Sequence, residues 1–208
     1  MSTRLFDIWS RFYDQPAVQR AIYKPVQDAV VDALPRGATR VVDVGCGTGQ
    51  LAARLADERP AARVTGCDFS FGMLEQAGAR GADVLLVQAD ALHLPLADAS
   101  FDAVTSTEAF HWFPDQVAAL REFRRVLAPG GLVLVAVTAP VRPVRRAGRI
   151  FTLIGGPRAR WQSRTELRQL MQAAGLRLRE QRRISRVPGG VLLPPVLTVG
   201  ERPATPAR

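Results

Sequence analysis

Val41-Val42-Asp43-Val44-Gly45-Cys46-Gly47-Thr48-Gly49-Gln50-Leu51-Ala52 carries an apolar strand straight into three glycines at alternate positions and then into a helix. Each glycine removes the Cβ that would hold a ligand away from the backbone, and each can take φ values closed to other residues. A helix opening near Thr48 aims free N–H groups and the positive end of its dipole into the same crevice. A ligand that joins a ribose to a carboxylate or phosphate suits that geometry. The spacing narrows the choice. A dinucleotide turn reads G-x-G-x-x-G, its third glycine allowing close helix–strand packing, whereas here Gln50 stands where that glycine falls. A nicotinamide dinucleotide is disfavoured.

Downstream, Leu51, Leu55 and Ala56 face inward on an amphipathic helix and Arg54, Asp57 and Glu58 outward, and then Arg63 to Asp68 forms a short strand ending in an acid. A carboxylate about 20 residues past the glycines can accept both hydroxyls of a ribose, and Asp68 is the candidate. Capping the next helix is the other use for it, but Ser70 is placed for that. Phe69 and Met73 then offer an apolar wall beside a base. Val84 to Ala91 reads as a buried parallel strand, apolar throughout and ended by a second acid, Asp90. Phe101 to Ser106 is a fourth strand, and Pro114 to Leu127 a helix with proline at its start, where a missing N–H costs nothing. Leu132 to Val137 is a fifth strand.

These motifs, D-x-G-x-G-x-G at Asp43–Gly49, the acids Asp68 and Asp90, and the Leu-x-Pro-Gly-Gly turn at Leu127–Gly131, resemble the class I S-adenosylmethionine-dependent methyltransferases over roughly residues 38–138. The resemblance is to the type-11 and type-25 methyltransferase domains. It implies a doubly wound α/β fold, a mostly parallel seven-stranded sheet with the last strand antiparallel. It also implies S-adenosylmethionine as cofactor, held by Asp43, Gly45, Cys46 and Gly47 in the turn, Asp68, Phe69 and Met73 after the second strand, Asp90 and Ala91 after the third, and Ser106 at the end of the fourth. In the family the second acid meets the exocyclic amine of adenine. Asp90 fits that role or serves as a turn residue leading into Leu92.

The loop after the fourth strand, Ser106-Thr107-Glu108-Ala109-Phe110-His111-Trp112-Phe113, lacks the Asn/Asp-Pro-Pro-Tyr/Phe turn of methyltransferases that act on base amines. A cysteine pair suited to covalent attack on a pyrimidine is also missing. The His-Trp-Phe stretch is similar to that of small-molecule enzymes such as trans-aconitate methyltransferase and the quinone-biosynthesis C-methyltransferases, so a small-molecule acceptor is expected. Glu108 and His111 are the catalytic candidates. A protein base is needed only if the acceptor is a hydroxyl, a protonated amine or a weakly acidic carbon, and His111 reads as a base, an orienting group or a packed ring. Trp9, Tyr13 and Trp112 are the candidate acceptor-binding residues. In small-molecule members of the family a helix like the aromatic arm Leu5 to Asp14 folds over the cofactor as a lid; packing of Phe6, Trp9 and Tyr13 on the core at helical spacing is the alternative.

The 208 residues suit a single domain, divided into an N-terminal helical lid (1–37), a cofactor-binding core (38–138), a basic connector (139–162) and a C-terminal helix with a strand pair (163–200), Glu201 to Arg208 forming a frayed tail. Ser163 and Glu166 resemble a capping box for that helix, which Gly175 ends. The formal net charge is +9 and the pI about 11.1, with arginines concentrated between Arg142 and Arg186. Such a run steers anionic partners, nucleic acid or an anionic membrane surface, or is a solvated face. Two alternatives to a methyltransferase follow: an NAD-dependent oxidoreductase, against which Gln50 argues, and a catalytically silent RNA- or membrane-binding protein of the same fold. Cys46 and Cys67 lack the companions of a zinc site, and no metal is expected. With no leader and no run of some 18 apolar residues, the chain is expected to be cytoplasmic.

Overall fold

The computed structural model describes residues 23–139, 160–184 and 194–204. Its elements follow in the order α1 (Lys24–Ala33), β1 (Arg40–Val44), α2 (Gln50–Glu58), β2 (Arg63–Asp68), α3 (Phe71–Gly78), β3 (Val84–Gln88), β4 (Phe101–Thr107), α4 (Gln116–Val126), β5 (Leu127–Thr138), α5 (Arg164–Ala173), β6 (Arg177–Arg183) and β7 (Pro195–Glu201). The seven strands form one sheet in the order β3-β2-β1-β4-β5-β7-β6. Strands β1 to β5 pair in parallel, and β7 runs antiparallel to both β5 and β6. This is the expected doubly wound sheet. Its chain reverses direction between β1 and β4, and the carboxyl ends of those two strands border the crevice where such sheets bind ligands.

Alternate residues of each strand face opposite layers, so the apolar strands feed two cores. On one face Val42, Val44, Val104 and Val135 pack with Phe110, Phe123, Leu167 and Met171; on the other Val41, Val64, Leu134 and Leu197 pack with Val26, Val30, Leu51 and Leu55. Within the 1–37 segment, α1 is one of these layer helices, burying Val26, Ala29, Val30 and Val31. Arg54 of α2 ties it down through Asp28, and Arg59 donates to the carbonyls of Val31, Leu34 and Pro35 at its C-terminal end. Residues 1–22, with Trp9 and Tyr13, and residues 140–159 of the basic connector lie outside the described residues.

Several boundaries differ from the sequence reading. Helix α2 begins at Gln50 rather than near Thr48, because Gly49 at φ 74° takes the N-cap. Pro114 does not open α4; Asp115 caps it, its carboxylate accepting the Ala118 N–H at 2.9 Å. Strand β3 is not buried on both faces. It is the edge strand, and Leu85 is 65% exposed, since an apolar run does not reveal whether both faces find a cover. Glu201 and Arg202 are not frayed: Glu201 of β7 pairs with Leu132 of β5, and Arg202 exchanges backbone bonds with Gly130 and Gly131.

Candidate active site

The cradle grows out of β1. Gly45 and Cys46 both donate their N–H to the carbonyl of Cys67, at 2.8 and 3.0 Å, which bends the chain over the end of β2. Gly45, Gly47 and Gly49 all have positive φ. Two of them are packed against neighbours: a Cβ at Gly45 would fall 2.4 Å from Cβ of Ala109, and one at Gly49 would fall 2.7 Å from Cβ of Ala77. Gly47 is different. A Cβ there would meet only Sδ of Met73, at 3.9 Å, so the ground beside it is open for a ligand.

Asp68, at the end of β2, accepts the Gly47 N–H at 2.8 Å on one oxygen and the Ser70 N–H at 2.9 Å on the other. Each oxygen keeps lone-pair capacity for a hydroxyl. Ser70 caps α3 by accepting the Met73 N–H, which leaves Asp68 out of that work as the sequence implied. Phe69 is 40% exposed beside it. Asp43 lies one strand inward, fully enclosed. One of its oxygens accepts from Thr105 Oγ1 at 2.7 Å and the other has no partner among the described residues. Burial, opposed by the Thr105 bond and assisted by the charge of Asp68, pushes its carboxyl up to about 7, and burial raises that of Asp68 as well. A buried carboxylate oxygen with nothing to accept is costly. A ribose for Asp68 and a cationic amino-acid end near Asp43 answer both needs, so the residues present fit S-adenosylmethionine.

Asp90 is exposed and makes a turn, accepting the Leu92 N–H at 2.9 Å; Ala91 beside it is buried. Ser106 is fully buried, its Oγ without a partner among the described residues. The thiols of Cys46 and Cys67 are free and buried; burial raises both, that of Cys67 to about 12.

Beyond β4 the chain turns at Glu108, which holds φ 49°, a conformation that costs a non-glycine residue of order 1–3 kcal/mol and clusters at functional sites. Its N–H bonds the carbonyl of Ala136, and its carboxylate accepts from Thr138 Oγ1 at 3.1 Å. Burial, opposed by the Thr138 bonds, pushes its carboxyl up to about 7. A single helical turn, Phe110–Trp112, then carries His111 inward. His111 is buried against Trp161 and Trp112, and burial holds its imidazole down at about 3. The structure thus brings Asp43, Gly47 and Asp68 into one cradle and sets Glu108, His111 and Trp112 on the loop that presses on it through Ala109. Ala109, Thr138 and Trp161 were not anticipated. Only Trp161 had a sequence signal, an isolated large aromatic just before the Ser163 cap.

Among the described residues, no cluster of three potential metal ligands occurs and no helix is long and apolar enough to cross a membrane. Residues 42–135 match the family described as Methyltransferase domain. The chain is 45% identical over 127 residues to the demethylmenaquinone methyltransferase of Thermus thermophilus, covering 59% of this chain and 57% of that protein. It is 38% identical over 176 residues to the malonyl-[acyl-carrier protein] O-methyltransferase of Geobacter sulfurreducens, covering 76% and 64%. It therefore spans less than two thirds of these relatives' own lengths. A solved Haloferax volcanii methyltransferase in complex with the Trm112 activator superposes with TM-score 0.82 at 25% identity, over 95% of this chain and 97% of that one. A possible histamine N-methyltransferase from Thermotoga maritima gives TM-score 0.75 at 26% identity, over 96% and 97%. Its motifs, strand order and relatives agree in making the chain similar to the class I S-adenosylmethionine-dependent methyltransferases, with the Methyltransferase domain match spanning residues 42–135.

Proposed function

We propose that this protein transfers a methyl group from S-adenosylmethionine to a small-molecule acceptor. The observation that carries the reading is the cradle: an open glycine at 47, Asp68 with capacity on both oxygens, and an enclosed Asp43 with one oxygen unpartnered. In it, Asp68 holds the ribose, Asp43 faces the amino-acid end, Phe69 and Met73 wall the adenine, Asp90 and Ala91 border its amine edge, and Gly45, Cys46 and Ser106 contribute backbone. The bound cofactor supplies a methyl carbon already activated by its sulfonium. What the chain must add is placement of the acceptor and exclusion of water.

Glu108 is the group suited to take a proton from the acceptor, because a carboxyl at about 7 can both accept and release one near neutrality. His111, neutral across that range, acts by hydrogen bonding. Trp112, with Trp9 and Tyr13 of the N-terminal arm, bounds the acceptor. The substrates named for the relatives, demethylmenaquinone and a malonyl-acyl carrier protein, are the first acceptors to offer. The test is release of S-adenosylhomocysteine when the full chain is given S-adenosylmethionine and each acceptor in turn. Acceptor-dependent release supports the reading, whereas cofactor binding with no release for any small molecule would move the protein to the catalytically silent class.

A further inference from the structure

Trp161 lies at the end of the basic connector, far in sequence from every methyltransferase motif, yet its ring stacks on His111 with centroids 4.3 Å apart and planes 14° apart. Trp112 leans on the same imidazole at 4.9 Å and 45°. The two segments are also tied through backbone and amide groups. Arg160 N–H donates to the carbonyl of His111 at 2.7 Å, and Gln162 Nε2 donates to Gln116 Oε1 at 2.7 Å. Gln116 Nε2 in turn donates to the carbonyls of Phe110, at 3.0 Å, and Arg160, at 3.2 Å. These bonds are largely buried, and leaving such groups unpaired is costly. Residues 160–162 are therefore latched to the 110–112 turn. Nδ1 of His111, in a residue only 4% exposed, has no partner among the described residues. Buried polar atoms are normally satisfied, and an exception calls for a ligand or a role.

We propose that Trp161 is a positioning residue: held by the Gln116–Gln162 latch, it fixes the His111 ring in the loop after β4 and leaves Nδ1 to hydrogen-bond the methyl acceptor. The proposal rests on the methyl-transfer reading above. The charged groups on the elements around the ring are Glu108 on its own loop, Asp115 at the cap of α4, and Arg160 and Arg164 on the latched segment; burial, rather than any of these, keeps the imidazole unprotonated. The stacked Trp161 ring covers one face of the imidazole and so contributes to that burial. A packed ring with no function would also be neutral, so the test needs both a titration and a rate.

The chain has two histidines, and His93→Gln leaves the imidazole of His111 as the single nitrogen-15 signal to follow. In the full chain that signal should stay neutral from pH 5 to 8, and Trp161→Phe should keep it so. Trp161→Ala should bring its midpoint into the window and lower turnover about 10–100-fold, the cost of a misplaced group, with S-adenosylhomocysteine affinity unchanged. Gln162→Ala, which loosens the latch and keeps the ring, should move both readouts in the same direction by less, and it carries the test if Trp161→Ala does not fold. Protonation of His111 within the window in the wild type, or full turnover in variants whose titration has moved, would overturn the proposal. No turnover by the wild type with any acceptor, alongside the expected titrations, would instead remove the methyl-transfer reading.

Discussion

Asp43 is enclosed at the end of β1 with one satisfied oxygen and Asp68 nearby, and its carboxyl sits at about 7. An unfolded aspartate titrates near 3.9, so the folded chain holds this proton more tightly. Its stabilising contribution is complete below about pH 4 and is lost as pH rises through about 7. Asp43→Asn, which keeps the shape and the acceptor for Thr105, should therefore raise the melting temperature of the cofactor-free protein more at pH 8 than at pH 4; an equal change at both would deny the raised carboxyl. Asp68→Ala removes hydrogen bonds to a charged group, worth about 1.5–3 kcal/mol, or roughly 10–200-fold in S-adenosylhomocysteine affinity. Glu108→Gln should leave that affinity in place and cut turnover by about 100-fold or more, and the wild-type rate should rise with pH through about 7 as the base loses its proton. Equal loss of cofactor binding would show a binding role instead. The glycines and Asp43 were legible because the turn packs them into adjacent residues, and Asp68 because it ends the next apolar strand. Thr138 and Trp161 were not, since they reach Glu108 and His111 only through the packing of β5 and of the segment before α5.

At the scale of elements, the caps separate stability from function. Helix α5 carries a complete capping box between Ser163 and Glu166, and the sequence announced it. Ser163→Ala should cost about 1 kcal/mol in denaturant unfolding. Helix α2 has no side-chain cap; Gly49 starts it in the left-handed region, hard against Ala77 of α3. Gly49→Ala combines overpacking with left-handed strain and should cost about 2–4 kcal/mol, more than any cap, because this glycine sets the spacing between two helices as well as the turn. Strand β3 shows the limit of reading pattern alone. Val84 to Val87 has the composition of a central strand, and only the sheet order reveals that one side has no neighbour. Leu85→Lys should accordingly change stability by less than about 0.5 kcal/mol. A loss of several kcal/mol would mean that something covers that edge.

Across the whole molecule, the two sheet edges differ in character. Strand β6 displays Arg177, Arg179 and Arg182, paired with Glu201 and Glu180, and a charged edge of this kind discourages strand addition. Each such exposed pair contributes at most about 1 kcal/mol. Part of the basic run seen in the sequence is thus a guarded edge, while Arg145, Arg146 and Arg149 lie outside the described residues. The individual strands and the glycine turn were legible as hydrophobic runs broken by glycines and acids, since each βα unit writes its own local signal, whereas the order of the strands is seen only in the sheet. The acceptor side was not legible, because it is assembled from the ends of distant segments. We expect the crevice between β1 and β4 to take a single nucleoside with an amino-acid tail. Calorimetric titration of S-adenosylhomocysteine and of NAD into the full chain at pH 8 tests it most directly. We expect one site for S-adenosylhomocysteine, weakened at least about tenfold by Asp68→Ala, and no heat from NAD; binding of NAD with none of S-adenosylhomocysteine would rule the single-nucleoside cradle out.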